Sequence, residues 1–391
     1  MSRTLVVAMG FVAGLASTSI RPARAEAAPS SPAERKIEEA RRGIAKNPDR
    51  CKARTDLALA LARRARETSD PAFYLQADQA LETCLAVSPD DVDALKVRAW
   101  VYLGQHRFAL ARDLAVALNK RVPDDVTVYG LLTDAQAELG NYSEAEAACQ
   151  WMLDLRPGNV PGLTRAAYLR ELFGDVEGAL ELMASAYEQT PPSESEDGAW
   201  ILTQIGHLQL TAGRPIEAEA VLGRALALFP GYHYALGQLA RVRTAQGRHG
   251  EAVELLRQRY GTAPHPENLY DVAEALDRAG RKREARAAFA DFERKARAEM
   301  AGPDNANREL IYYYADHASQ AAAALALARN EMARRRDVQT AAAYAWALHA
   351  NGRSREARKE MEAALAVGTR DPELLRRAAV IARAAGRGGR G

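Results

Sequence analysis

Apolar residues recur along this chain every three or four positions, in short blocks that come in pairs. In the stretch VPGLTRAAYLRELFGDVEGALELMASAYEQTP the pattern predicts two amphipathic helices, Val160–Phe173 and Val176–Gln189. A glycine parts the two blocks and a proline closes the pair. The glycines are Gly140, Gly174, Gly213, Gly247, Gly280, Gly352 and Gly386, spaced 34, 39, 34, 33, 72 and 34, where 72 reads as two units plus four residues. The prolines are Pro89, Pro123, Pro157, Pro191, Pro230 and Pro264, spaced 34, 34, 34, 39 and 34. Both ladders gain five residues between Pro191 and Gly213. A small residue lies seven positions before each glycine: Thr133, Ala167, Gly206, Ala240, Ala273, Ala345 and Ala379. An alanine follows most of them at five positions: Ala145, Ala179, Ala218, Ala252, Ala285 and Ala357.

Four registers locked to one period predict a helical repeat array. The glycine supplies the left-handed backbone that ends the first helix. The proline follows the second helix, whose hydrogen-bond ladder it cannot continue. The small residues let paired helices approach where they cross. No hairpin of this size buries its apolar face alone, so neighbours must stack.

These features resemble the tetratricopeptide-repeat (TPR) family. The unit AWILTQIGHLQLTAGRPIEAEAVLGRALALFP carries the small residue Gly206, the turn Gly213, Ala218 and the closing Pro230. The resemblance runs from Pro32 to Gly386. It implies an all-α fold, a right-handed superhelical solenoid of antiparallel hairpins. Eight or nine hairpins are expected, with half-units at each end.

Residues Met1–Ala25 read as a secretory signal: Arg3 starts it, Leu5–Ala16 is apolar, and Ala23-Arg24-Ala25 has the small-x-small pattern of a cleavage site. Residues 26–31 are expected to be a flexible stub. Pro32–Lys46 reads as a lone charged helix. The insertion PPSESEDG after Pro191 is polar and turn-forming, so it is expected to loop out on one face or to alter the pitch. The unit after Gly302 lacks its glycine, and His317 or a neighbour takes that place. Asp371 and Pro372 begin a closing helix as N-cap and first helical residue. Residues 387–391 are expected to be a disordered tail.

Charge adds one exclusion. The formal net charge is +2, from 53 basic and 51 acidic residues. Removing Arg3, Arg21 and Arg24 with the signal leaves 50 basic residues, a net charge of −1. No nucleic-acid partner held by bulk charge is expected. Nor is a membrane span expected after the signal is removed, and the protein is expected to be exported, periplasmic or secreted. The chain contains no HExxH, Walker loop, G-x-S-x-G or CxxC. With no stretch left over for a catalytic domain, no enzyme activity, cofactor or metal site is expected. Cys51 and Cys84 fall at ends that antiparallel helices bring together. A bridge in an oxidising compartment and two small buried thiols are equally compatible with that placement. Cys149 is expected in the core.

The resemblance also implies that the first helices line a concave groove. The residue after each small position then faces it: Trp100, Asp134, Tyr168, His207, Arg241, Glu274 and Trp346. One turn earlier lie Lys96, Thr203 and Tyr270, with Trp200 and Tyr234 near helix starts. Such a mixture of aromatic platforms and charges suits protein or peptide recognition. The expected function is a non-catalytic binding scaffold of the cell envelope. The alternative is an accessory protein for polysaccharide export or modification, since aromatic faces also suit sugar rings.

Overall fold

The computed structural model describes residues 31–387, apart from 49, 303 and 304. The expected signal, most of the stub and residues 388–391 therefore lie outside the described residues. Twenty helices and no strand occur among the described residues. A lone helix α1 (Pro32–Lys46) is followed by nine antiparallel hairpins. They pair α2 (Cys51–Thr68) with α3 (Ala72–Val87), α4 (Val92–Gly104) with α5 (Phe108–Arg121), and α6 (Val126–Glu138) with α7 (Tyr142–Leu155). Next come α8 (Val160–Leu172) with α9 (Val176–Gln189), α10 (Ser195–Thr211) with α11 (Pro215–Leu228), and α12 (His233–Ala245) with α13 (His249–Thr262). The last three are α14 (Pro266–Arg278) with α15 (Lys282–Glu299), α16 (Asn307–Asp316) with α17 (Ala321–Arg334), and α18 (Val338–Ala350) with α19 (Ser354–Leu365). Helix α20 (Pro372–Arg387) ends the array.

The starts of the first helices show why the period holds. Asp91, Asp125, Asn159 and Asp371 each sit one residue before a helix, where a side-chain oxygen accepts from backbone N–H groups of the first turn at 2.8–3.1 Å. Each cap is worth about 1 kcal/mol. The small positions Thr133, Ala167, Ala240, Ala273 and Ala345 are all buried. A Cβ added at Gly206 would lie 2.6 Å from Cγ of Leu222, so that crossing admits only glycine without a shift. The seventh small position, Ala379, is exposed; among the described residues no second helix covers it.

Two turn assignments change. Gly386 lies inside α20 and makes no turn. In the unit without a turn glycine, Ser319 takes the left-handed conformation at φ 54°, while His317 caps α16 at φ −120°. Ser69 and His106 fill the same role before the glycine ladder begins, at φ 52° and 53°.

The coil is tight enough to meet itself, which a one-dimensional array does not require. Hairpins about five apart in sequence touch. Arg66 of α2 binds Glu196 and Asp197 of α10, and Nε2 of His233 on α12 lies 2.9 Å from the carbonyl oxygen of Arg66. Farther on, the amide of Arg336 donates to the carbonyl of Glu138 at 3.0 Å. Arg335 reaches the Glu138 carboxylate at 2.7 Å. The polar insertion accordingly does not loop out. It lengthens α10, and Glu194 binds Lys36 of α1 at 3.4 Å and Arg63 of α2 at 3.3 Å.

Cys51 and Cys84 form a disulfide across α2 and α3, their Cα atoms 4.8 Å apart. Cys149 is a buried free thiol, pushed up to about 11 by burial. Thiol labelling of air-oxidised protein in denaturant should therefore modify one cysteine before reduction and three after it. Three labelled without reductant would rule out the bridge.

Candidate inner-wall site

The first helices form the inner wall of the coil. Only two of the twelve groove positions stand open on it: Tyr168 is 42% exposed, and Arg241 is exposed. Desolvation nevertheless raises the Tyr168 hydroxyl well above the ordinary tyrosine range. The two facts agree if Tyr168 faces a bore: water reaches it, but protein rings it. Arg241 lies near Asp271 of the next first helix, whose carboxyl burial pushes up to about 6 against the pull of Arg259 and, more weakly, Arg241.

The other positions are held by the chain itself. Lys96 bridges Asp93 at 2.8 Å and Asp125 at 2.9 Å. Asp134 receives Arg165 of the next first helix at 2.5 Å. His207 meets Glu171 at 2.6 Å, and Glu274 meets His317 at 2.5 Å. Trp100 and Trp200 pack on core clusters between units. Nε1 of Trp346 donates to Asp316 at 2.7 Å, while the Arg377 guanidinium lies 4.5 Å from its ring and 4.0 Å from that of Tyr312. Thr203 and Tyr270 do not present to the bore at all. Thr203 is 1% exposed and bonds the Ala199 carbonyl, and Tyr270 is 8% exposed against Phe292. An i→i−4 hydroxyl bond and an inter-helix aromatic contact satisfy both within the core.

Tyr234 belongs to a feature that the repeat pattern does not indicate. Where the coil closes, a chamber of about 280 Å³ forms between the first, second, sixth, seventh, eighth and ninth hairpins. Four arginines border it: Arg66, Arg259, Arg308 and Arg335. Burial pushes the Tyr234 hydroxyl up to about 12. His106 on its lining and His233 beside it are kept neutral. Burial, then Arg335, Arg334 and Arg308, push His106 down to about 3; burial, with Arg259 assisting, pushes His233 down to about 4. No repeat period links these residues. They come from the first, second, sixth and eighth hairpins, and only coil closure brings those hairpins together.

Among the described residues, no helix is long and apolar enough to cross a membrane.

Two models of the tetratricopeptide repeat match the sequence, over residues 96–160 and 209–259. Comparison with curated proteins gives no match. Among solved structures, the chain is similar to the human IFIT1 dimer with PPP-AAAA: 13% identity, 85% of this chain and 86% of that one, TM-score 0.52. It is also similar to the APC/C hetero-tetramer Cut9–Hcn1, with 12% identity, 89% and 58% coverage and a TM-score of 0.49. A third is PilW, a type IV pilus biogenesis factor, with 16% identity, 52% and 93% coverage and a TM-score of 0.45. At these identities the likeness is one of fold.

Proposed function

This chain is a tetratricopeptide-repeat protein, and from that premise we propose that it is a non-catalytic scaffold of the cell envelope, holding a protein or peptide partner against the inner wall of its coil. Repeats of this type in general serve protein recognition. The observation that carries the reading is the pair Tyr168 and Arg241, a ring and a cation exposed where the other ten groove positions are buried or half-buried. Rigid aromatic and arginine side chains are the usual anchors of protein recognition. The partner enters as an extended segment. Two features support the envelope: the signal pattern at the start of the sequence, and a disulfide of the kind that persists in oxidising compartments.

The test is photo-crosslinking in the exporting cell from Tyr168 and from Arg241, with Ile216 as control. Ile216 is 77% exposed on α11, a second helix. A discrete protein adduct from the two inner positions and not from Ile216 is the expected result. Adducts of the same pattern from all three positions, or none from the inner pair, would overturn the reading. A carbohydrate adduct would favour the role in polysaccharide export instead.

A further inference from the structure

We propose that the coil opens along one half of its seam, so that α1 and the first two hairpins form a gate to the inner wall. The seam is the line where the first turn of the coil meets the second. The purpose of the gate rests on the inner-wall partner; the opening itself does not.

The two halves of the seam are held by different chemistry. Where the third and fourth hairpins meet the ninth, the contact is apolar and close. One buried cluster runs from Ala137 to Leu172, resumes at Ala240 and continues to Ile381. Among the described residues it has no member between Leu172 and Ala240, so its two parts join across the seam and not along the chain. The backbone adds to this. A Cβ at Gly174 would strike the carbonyl oxygen of Gly368, as one at Gly140 would strike that of Arg336. The Arg336 amide also donates to the Glu138 carbonyl at 3.0 Å. Separating a close-packed contact of this kind loses its dispersion and its burial together.

The other half, on the N-terminal side, lacks such a core. The buried cluster there has every member between Ile37 and Val101, and none across the seam among the described residues. Polar contacts cross instead. Glu194 meets Lys36 at 3.4 Å and Arg63 at 3.3 Å, Arg66 holds Glu196 and Asp197, and Nε2 of His233 lies 2.9 Å from the Arg66 carbonyl oxygen. The Lys36 side chain is 44% exposed and that of Glu194 33%, so salt reaches that pair. Two open spaces also lie along this half: the chamber of about 280 Å³ and a groove of about 650 Å³. Each has the first two hairpins on one side and later hairpins on the other. Unfilled space means contacts not made.

A hinge is available as well. The apolar cluster joining the second hairpin to the third has three buried residues, Ala99, Ala115 and Leu131. Regions with few buried apolar contacts open before the rest of a fold, and a thin junction absorbs the bend. Opening there swings α1–α5 away from the later hairpins and bares the inner wall from the side. An extended segment within a longer chain then reaches Tyr168 and Arg241 without threading an end through the coil.

Spin-label distances in the full chain test this. One pair, Gln76→Cys with Ala298→Cys, spans the polar half; the other, Ala147→Cys with Ala363→Cys, spans the apolar half, and all four positions are exposed. Cys149 is buried and Cys51 is bridged to Cys84, so none of the three takes label. Raising the salt from about 0.1 M to about 1 M shortens the screening length from about 10 Å to about 3 Å. The first distance is expected to lengthen and broaden, and the second to stay as it was. Arg66→Met should lengthen the first distance at low salt. Two distances that hold still, or that lengthen together, would overturn the gate. A bis-maleimide joining Arg63→Cys to Glu194→Cys locks the polar half, with circular dichroism to check the fold. A photo-crosslinker at Tyr168 should then capture at least tenfold less protein from an extract of the exporting cell than the same variant without the linker. Equal capture would overturn the proposal. A first distance that lengthens while the unlocked chain captures nothing supports the gate and counts against the inner-wall partner.

Discussion

Replacing Arg66 with methionine is expected to destabilise the protein by about 3 kcal/mol, an effect out of proportion to one partly exposed side chain. The reason is what it leaves behind. The Glu196 side chain is 8% exposed, and it accepts from Arg66 and from the Tyr232 hydroxyl at 2.5 Å. Desolvation already raises the Glu196 carboxyl, and Arg66 is the largest opposing influence. Removing Arg66 strands a buried carboxylate, which is the costly way to break a buried pair. Replacing Glu196 with methionine in the same chain should recover part of the loss, because the stranded charge goes too. Lys52→Met breaks the exposed Lys52–Asp56 pair, 3.1 Å apart with side chains 69% and 48% exposed, and should cost no more than about 0.5 kcal/mol. Urea denaturation of the three variants makes the comparison. Because the Arg66 contact spans 130 residues, small-angle scattering should also show the coil loosening. If Arg66→Met is no worse than Lys52→Met, the contact between the first and fifth hairpins does not hold the coil.

A pair of glycine variants should give the second large effect. Gly140 and Gly213 both sit at φ 77°, each ending the first helix of a hairpin. An alanine in this left-handed conformation costs about 1–2 kcal/mol at either site. At Gly213 nothing lies within 4 Å of the added Cβ, so that is the whole penalty. At Gly140 the added Cβ would lie 2.7 Å from the carbonyl oxygen of Arg336. The backbone there must move, and the bond from the Arg336 amide to Glu138 moves with it. The total for Gly140→Ala is expected at about 3 kcal/mol or more, from strain and overpacking together. Thermal melts of both variants decide it. Equal losses would mean that the next turn of the coil does not rest on Gly140.

The sequence identifies these two glycines as equivalent, members of one ladder in one register. The coordinates make them unlike, since a later loop packs on one and not on the other. The same division runs through the candidate site. The period says which positions follow a buried small residue or stand one turn earlier, but not which of them open on the inner wall: Tyr168 and Arg241 do, while Thr203 and Tyr270 lie in the core. Their pairing was not readable. Whether Lys96 meets Asp125, or Trp346 meets Asp316, depends on which side chains the neighbouring unit offers at that height.

What the sequence determined by itself is whatever repeats: helix limits such as Val176–Gln189, buried small residues at the crossings, N-caps after the prolines, and an all-helical solenoid. These follow from interactions within a unit or between adjacent units, and every copy of the motif restates them. Tertiary structure alone decided the closure. Small rotations from unit to unit accumulate until Arg66 reaches Glu196 and Arg335 reaches Glu138. No single unit encodes that sum, so neither the chamber nor its four arginines has a period to be read.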